Sequence, residues 1–494
     1  MKIKQILCAL AFSAMAATAF VRPASADGQP AVDPAKLSEA QITQMQVPQA
    51  LFKLATIYKE SGDLERLSWA LRRLVALRPS SPELKLALAT TYAQRGQKTE
   101  TYELLLAMQK QGLGYDLTKN ENFSKVSDTR VWKYILEGLE ANLKPFGEGK
   151  VAFSLPAGDY MFESLAYDPA RKRFLAGSVR EGKIYLVGKD GKLEDFITPS
   201  AANGLWSVYA MAVVPEDDAL YVASTASVYF KGFKQDDYGK AGVFKFKLST
   251  GKLVDKYLLL PDGNPRTLST IAAGRGGLVF AADGLRNQIY RLDGGQLKLT
   301  MENPHLTSVR GLALDDAGKT LYFADFSLGV FGIDLNAGRG FDVAYDPRSL
   351  TLGGIDGLYW YQQNLVVIEN GMSPQRVMRL SLSEDGRKIM RATPLDASNA
   401  DFELPTYGAI DGDGLYFIAN SQKNLYDGYG TLKSDAKPKP VKVFRSDLRF
   451  AWDAKGTPDL RPPHMMPMLP ESRSTPGTGV FGNVVGGSKS AAGG

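Results

Sequence analysis

The chain has 494 residues with a formal net charge of +6, one cysteine and two histidines; 44% of its residues are hydrophobic and 23% are charged. These values are typical of globular proteins and exclude a fully disordered chain, a collagen-like fibre and a disulfide-rich scaffold. Two histidines leave almost no material for histidine-rich metal sites or for a Ser-His-Asp triad.

Residues 1–26 have the pattern of a secretory signal peptide. Lys2 and Lys4 precede an apolar stretch that is short for a membrane span, and an A-x-A cleavage motif lies at 24–26. A second cleavage motif at 17–19 and a short membrane anchor remain as alternatives.

Cleavage at residue 26 would change what the composition implies. It removes the only cysteine, Cys8, and it removes Lys2, Lys4 and Arg22, which lowers the net charge to +3. A chain without cysteine has no disulfide, thiol nucleophile or thiolate ligand. No basic run with interleaved aromatic residues is present in the sequence, so nucleic-acid binding is not indicated. The sequence therefore predicts a periplasmic or secreted protein without a membrane span after cleavage.

A linker and then a helical array follow. Residues 27–47 are polar and contain proline, which predicts a linker, and residues 48–148 have helical periodicity. Four positions recur 34 residues later: Leu54, Ala55, Tyr58 and Gly62 match Leu88, Ala89, Tyr92 and Gly96. This period resembles that of tetratricopeptide repeats, with a degenerate third unit at 131–143 as a cap. The resemblance implies a concave surface for a protein partner; a spacer that packs on the next domain is the alternative.

After residue 145 the hydrophobic period changes from about 3.6 to about 2, and short apolar strands alternate with turns. Six such units over 149–448 predict a six-bladed β-propeller. The strand at 151–154 has no unit of its own, and we expect it to complete the last blade. The predicted fold class is therefore α + β multidomain, with an N-terminal helical tetratricopeptide-like array followed by a six-bladed β-propeller. Residues 449–494, which contain His464, predict a disordered tail rich in Pro, Gly and Ser.

Three segments of the propeller carry a family resemblance: 163–168 in blade one, 311–325 in blade four and 355–358 in blade five. They resemble the gluconolactonase, senescence-marker and luciferin-regenerating family, and more loosely NHL-type, strictosidine-synthase-like and paraoxonase-like propellers. The resemblance covers about residues 150–448. It supports the fold better than the activity, because propellers host many functions.

The innermost strand of each blade is expected to begin at the central tunnel. Reading that position in each blade gives Glu163, Tyr209, Ser269, Arg310, Asp356 and Tyr407. The resemblance implies that a divalent cation such as calcium binds here, held by a Glu of blade one, an Asn of blade four and an Asp of blade five. The matching residues are Glu163, Arg310 and Asp356, so an arginine stands where the family has an asparagine.

This exchange argues against metal binding, because arginine has no acceptor to offer a cation and its guanidinium would pair with the two carboxylates. Glu163, Asp356 and Arg310 are therefore the catalytic candidates, and Glu163 and Asp356 are metal ligands only in the alternative in which a cation binds. A register error of one residue would turn Arg310 away from the tunnel.

Further polar residues on the same face are candidates for ligand binding: Tyr209, Ser269, Tyr407, His305, Asp325 and Asn370. For His305 the alternative is a solvent-exposed loop residue, and for Asp325 and Asn370 it is a turn. Two long insertions, 224–240 and 420–440, contain aromatic residues that suit a lid over a ligand or a contact with the helical repeats.

These features predict an exported binding or assembly protein, whose helical repeats hold a protein partner and whose propeller face holds a ligand or partner. The alternative is a lactone or ester hydrolase of the gluconolactonase-like type. It would be either metal-dependent or metal-free, with the Glu163 carboxylate acting directly. No cofactor other than the divalent cation is indicated.

Overall fold

The computed structural model describes residues 33–450. The predicted signal peptide with Cys8 and almost all of the predicted tail with His464 lie outside the described residues. The described residues form two compact units, a helical unit that extends to Leu143 and includes Pro347–Thr351, and a β-strand unit that contains the rest. Within residues 33–450, none of the helices combines the length and the apolar content that crossing a membrane requires.

The helical unit contains six α-helices within the described range. They are α1 (Glu39–Gln44), α2 (Pro48–Ser61), α3 (Leu64–Leu77), α4 (Pro82–Gln94), α5 (Lys98–Lys110) and α6 (Arg130–Ala141). Their ends follow sequence signals. Gly62 ends α2 in the left-handed region with φ of 73°, and the Asp63 and Ser81 side chains cap α3 and α4.

The residues that define the repeat pattern form the core of this unit. Leu54, Tyr58 and Leu88 are buried in one apolar cluster with residues of α3. The structure differs from the predicted linker, because α1 lies in that range and its Ile42 is fully buried in the same cluster. In the range of the predicted degenerate third unit, α6 follows a short 3₁₀ helix, Glu121–Val126.

The β-strand unit is a six-bladed propeller, as predicted. Its described strands form six four-stranded antiparallel sheets. The strands are β1 (Lys150–Leu155), β2 (Phe162–Asp168), β3 (Arg173–Ser178), β4 (Ile184–Val187), β5 (Leu193–Ile197), β6 (Ser207–Val214), β7 (Ala219–Thr225), β8 (Ala241–Lys247), β9 (Leu253–Leu259), β10 (Leu268–Gly274), β11 (Leu278–Asp283), β12 (Gln288–Asp293), β13 (Gln296–Glu302), β14 (Val309–Leu314), β15 (Thr320–Asp325), β16 (Gly329–Asp334), β17 (Arg339–Asp342), β18 (Ile355–Tyr361), β19 (Asn364–Glu369), β20 (Arg376–Leu382), β21 (Ile389–Ala397), β22 (Gly408–Asp411), β23 (Gly414–Ile418) and β24 (Val441–Asp447).

Blades one to five each use four consecutive strands, beginning with β2, β6, β10, β14 and β18. The sixth blade has the order β1-β24-β23-β22, because β1 pairs antiparallel with β24. This confirms the prediction that the strand before the first unit completes the last blade. Both ends of the domain therefore share one sheet, and the ring is held shut by its backbone hydrogen bonds.

The apolar cores lie between neighbouring blades. Leu175 and Ile184 of blade one, for example, form one buried cluster with Leu220, Val222 and Phe244 of blade two. Each sheet is thus apolar on both faces, as expected when its neighbours cover it from both sides. The innermost strands are held at fixed positions around the tunnel as a result.

Candidate functional site

The innermost strands of blades one to five share a β-bulge near their first residue. In blade one, Phe162 pairs with Ser178 and Ser164 pairs with Gly177, so Glu163 is the extra residue. The same shift occurs at the predicted tunnel residues of the next four blades, Tyr209, Ser269, Arg310 and Asp356. A bulge bends the strand and redirects a side chain, and bulges are frequent next to functional sites.

These five residues and Tyr407, which directly precedes β22, are here called the tunnel ring. A cavity of about 240 Å³ lies between the six innermost strands. Its lining begins one residue after the bulge in blades one to four, at Ser164, Ala210, Thr270 and Gly311. The tunnel ring therefore lies at one end of this cavity.

Asp356 is the most heavily hydrogen-bonded member of the tunnel ring. Its Oδ2 accepts hydrogen bonds from Asn370 Nδ2 at 2.9 Å and from Thr406 Oγ1 at 3.0 Å. Its Oδ1 lies 3.5 Å from Nη1 of Arg310. Asn370 also donates to the carbonyl of Pro405 at 2.9 Å, so the amide is fixed by two acceptors. The carboxylate is thereby held in one orientation beside the guanidinium.

Arg310 places a permanent positive charge at the tunnel ring. Its Nε donates to Ser308 Oγ at 2.8 Å, and its guanidinium lies over the Phe326 ring at 5.6 Å from the centroid. Burial is the largest single effect and favours the neutral form, but Asp356, Tyr407 and Glu163 together outweigh it and raise the pKa of Arg310. The side chain is 32% exposed, so the cation is positioned without being enclosed.

Glu163 is a buried carboxyl group on the innermost strand of blade one. It is 5% exposed, and its Oε1 accepts a hydrogen bond from Ser421 Oγ at 3.1 Å. Burial raises the pKa of Glu163, while the positive charge of Lys423 opposes this and the negative charge of Asp356 adds to it. A carboxyl group of this kind keeps its proton to higher pH than an exposed glutamate and can act as a general acid or base.

The hydroxyl groups of the ring differ in their partners. Tyr209 donates to Ser227 Oγ at 3.0 Å, and Ser269 donates to the carbonyl of Val309 at 3.3 Å. The Tyr407 and Ser164 hydroxyls are buried and meet no hydrogen-bond partner within the described part of the chain. Burial also raises the pKa of Tyr407 and Tyr209, so both act as neutral donors. The unpartnered hydroxyls mark where polar atoms of a ligand or water could be accommodated.

The donor set does not fit the divalent cation that the family resemblance implies. Arg310, a cation without acceptor atoms, stands beside Asp356 where an asparagine oxygen would be required. Both Asp356 oxygens already face donors, two of them neutral and one charged. Across residues 33–450, no group of three His, Cys, Asp or Glu side chains is arranged to hold a metal ion. The ring is therefore better described as a carboxylate–guanidinium site.

The other predicted ligand residues separate into two groups. Asn370 lies at the site through its hydrogen bond to Asp356. Asp325 is fully buried below the loop before β14, where its carboxylate accepts from the backbone N–H groups of Thr307, Ser308 and Leu328. This is a turn-forming role, the alternative considered for it. His305 is exposed in that same loop. Within residues 33–450, no hydrogen bond or ion pair connects its side chain to the tunnel ring.

Several residues at the site carried no signal in the sequence. Ser421 and Thr406 donate to the two carboxyl groups, and Ser308 and Phe326 orient Arg310. Ser421 and Thr406 come from loops of blade six, whereas Ser308 directly precedes β14 and Phe326 directly follows β15. Only the insertion 420–440, which was interpreted as a lid or a contact with the helical repeats, pointed to the region of Ser421.

Solved structures of similar fold include a Nidogen/Laminin complex, with 15% identity over 48% of this chain and 80% of that chain and a TM-score of 0.35. The PQQ-bound aldose sugar dehydrogenase of Streptomyces coelicolor has 16% identity over 61% of this chain and 99% of that chain, with a TM-score of 0.39. A gluconolactonase of Xanthomonas campestris has 12% identity over 62% of this chain and 92% of that chain, with a TM-score of 0.40. No protein-family model and no curated protein matches the sequence.

Proposed function

We propose that the tunnel ring binds a small hydroxylated carboxylic acid or the corresponding lactone or ester. The observation that carries this proposal is Arg310, a guanidinium that is fixed by Ser308 and Phe326 but is 32% exposed. An arginine fork recognises a carboxylate or a polarised carbonyl oxygen with two parallel N–H donors. Tyr407 and Ser164 supply buried hydroxyls to which the ligand's own hydroxyl groups can bind.

The size of the cavity limits the ligand. A volume of about 240 Å³ corresponds to roughly eight water molecules at about 30 Å³ each. This is below the usual range for drug-sized ligands, so the proposal concerns a molecule of about the size of a monosaccharide acid. Its carboxylate or carbonyl would face Arg310 at the ring end of the cavity.

A second candidate function is metal-free hydrolysis of a lactone or ester at the same ring, and it is favoured by Glu163. The ionised carboxyl group would take a proton from a water molecule as the water oxygen bonds to the carbonyl carbon. Arg310 would stabilise the oxyanion that forms, and the proton would return to the leaving alkoxide as the ring or ester C–O bond breaks. Burial raises the pKa of Glu163. As the pH falls, this base would therefore become protonated and lose activity at a higher pH than an exposed glutamate would.

One experiment separates binding from hydrolysis. D-gluconate binding is measured by calorimetry, and glucono-1,5-lactone turnover is measured by acid release, for the native chain, Arg310→Gln and Glu163→Gln. Since a charged hydrogen bond contributes about 1.5–3 kcal/mol, we expect Arg310→Gln to weaken gluconate binding by roughly tenfold to a hundredfold. Glu163→Gln should retain binding and abolish turnover if the ring is catalytic.

Arg286→Gln is the matched control, because Arg286 pairs with the exposed Asp262 in a blade-three loop. Equal gluconate affinity in the native chain and Arg310→Gln would contradict the binding proposal. Turnover that survives in Glu163→Gln would contradict the hydrolytic mechanism.

We also propose that the protein is exported to the periplasm or secreted, and that the helical unit is a tetratricopeptide-like array that holds a protein partner. Two features support a peptide-binding role. Gln111 Nε2 donates to the carbonyl of Pro347, a turn residue, at 2.6 Å, so a side chain of this unit binds a backbone carbonyl. In addition, α6 exposes 45% of Val131 and 58% of Tyr134.

For this partner role we expect Tyr134→Asp in the full chain to lose a protein that the native chain retains from a periplasmic extract. Tyr429→Asp, which changes an exposed tyrosine of the propeller, is the control. The same retained proteins in native and Tyr134→Asp samples would count against a partner on this face.

A further inference from the structure

Two insertions meet over the Glu163 side of the tunnel ring. They are residues 226–240 of blade two and 420–433 of blade six, together called the cover. Ser421 of the second segment donates to Glu163 at 3.1 Å, and Ser227 of the first accepts from Tyr209 at 3.0 Å. The cover thus touches two members of the tunnel ring directly.

The underside of the cover is apolar and aromatic. Tyr229 of the first segment and Tyr426 of the second lie with their ring centroids 6.5 Å apart, edge to face. They pack with Met161, Val179 and Tyr209 in one cluster. A ligand approaching Glu163 from this side has to displace that cluster, because Glu163 is 5% exposed when it is in place.

Arg180, in the turn between β3 and β4, joins the two segments. Its Nη1 donates to the carbonyls of Tyr229 at 2.5 Å and of Gly430 at 2.6 Å, one in each segment. Its Nε and Nη2 donate to the two oxygens of Asp159 at 2.7 and 3.1 Å. The guanidinium also lies 5.3 Å from the centre of the Tyr426 ring. A single side chain therefore ties both segments to the carboxylate of blade one.

Further contacts converge on the same point. Tyr426 donates its hydroxyl to Asp159 at 2.9 Å, and Lys231 Nζ lies 3.3 Å from Asp159. Gly430 has a φ of +79°, and a Cβ at this position would lie 2.3 Å from the Val228 carbonyl oxygen. The two segments are thus in close backbone contact, which only a glycine permits.

We propose that Arg180 is the latch of the cover and that its contacts must be released for a ligand to reach Glu163. The gating role of the latch rests on the proposed function, whereas the contacts of Arg180 with both segments of the cover do not depend on it. Arg180 is a positioning residue in this scheme, because it holds Ser421 and Ser227 over the ring and does not itself touch the ligand.

The latch is tested without any ligand, by hydrogen–deuterium exchange of the full chain. Arg180→Lys keeps the charge but loses the fork that binds Asp159 and both carbonyls. We expect amide exchange in 226–240 and 420–433 to be about tenfold faster, with the strands of blades three to five unchanged. Arg286→Lys is the matched control, because Arg286 forms the same bidentate pair with Asp262 away from the cover.

Gly430→Ala provides a second variant that disturbs the joint and leaves Arg180 in place. It should produce the same local increase in exchange. The latch is overturned if exchange in the cover is unaffected in Arg180→Lys, whether or not Gly430→Ala raises it, or if it rises equally throughout the propeller in Arg180→Lys.

The gating role is tested by stopped-flow binding of D-gluconate. With the latch weakened, association and dissociation should both be about tenfold faster, while the dissociation constant changes little. Unchanged rates together with a mobile cover would overturn gating. Absence of gluconate binding in the native chain would contradict the proposed function for this ligand, whereas the exchange result would still decide whether Arg180 is a latch.

Discussion

Arg310→Asn is expected to give the propeller a calcium-dependent stability that the native chain does not have. The substitution removes the guanidinium beside Asp356 and supplies an amide oxygen at the blade-four position of the tunnel ring. Glu163, Asn at 310 and Asp356 would then present the three oxygen donors that the family resemblance implies. Calcium prefers such carboxylate and amide oxygens.

The expected effect has two parts. Without calcium, the two acids lose their neighbouring cation, and because Arg310 is partly exposed we expect a destabilisation of about 1–2 kcal/mol. With calcium at about one hundred times its dissociation constant, binding to the folded state would restore about 2.7 kcal/mol. Thermal unfolding of the native chain and the variant, in EDTA and in millimolar calcium, measures both parts.

Arg310→Met is the matched control, because it removes the charge without offering a ligand. It should lose stability as Arg310→Asn does and should not respond to calcium. If calcium raised the unfolding temperature of the native chain as much as that of Arg310→Asn, the guanidinium would not occupy the place of the ion, and the metal-dependent hydrolase would regain its support.

The positions of the tunnel ring could be predicted because each blade repeats the same local pattern. A residue at the start of an innermost strand is read from the apolar pair that follows it, as with Leu165 and Ala166 in blade one. The bulge that redirects Glu163 and Arg310 could not be predicted, since it falls at the second residue of each strand, where one preceding residue is too few to show a shift in the alternation. The structure fixes the register of Arg310, because its guanidinium lies 3.5 Å from the Asp356 carboxylate of the neighbouring blade.

The outermost strand of blade two has a weak sequence signal for a different reason. In β9 most side chains are exposed or half-buried, and the polar Asp255 and Lys256 lie on opposite faces. Such a strand at the rim of a blade lacks the alternation by which a half-buried strand is recognised. Pairing with β8 fixes this segment, and that pairing is a tertiary property.

The loops show the clearest limit of sequence reading. Asp325 and Asn370 lie at similar positions at or just after the second strands of neighbouring blades, yet Asp325 caps a loop and Asn370 binds Asp356. Ser421 donates to Glu163 although the two residues are 258 positions apart in the sequence. Such contacts depend on how the ring closes, and no local pattern encodes them.

The closure of the ring contains a buried acid, Asp396 of β21, and a pH-dependent stability is expected from it. It is 1% exposed and accepts hydrogen bonds from the backbone N–H of Gly149, at 2.8 Å, and from the Ser446 hydroxyl. Burial is the largest cause that raises the pKa of Asp396 to about 7, and the negative charges of Glu148 and Asp447 add to it. The segment before β1 is thereby tied to the last two blades by a group that prefers to be neutral.

The sign of the effect follows from the raised pKa. The folded state holds the proton more tightly than the unfolded chain, so this contribution is complete below about pH 4 and is lost as the pH rises to about 7. The loss is on the order of 4 kcal/mol for the fully ionised group. Other acids that gain stability on ionisation will offset part of it in the whole protein.

Asp396→Asn should therefore stabilise the propeller by about 4 kcal/mol at pH 8 and by less than half of that at pH 5. The amide has the shape of the neutral acid, its Oδ1 can still accept from Gly149 and its Nδ2 can donate to Ser446. Unfolding in guanidinium at pH 5 and pH 8 measures the difference, with Asp316→Asn, an exposed aspartate, as the control. A variant that is less stable than the native chain at both pH values would mean that Asp396 is ionised when buried and serves only as an acceptor. The ring would then be closed by a charged contact instead of a neutral one.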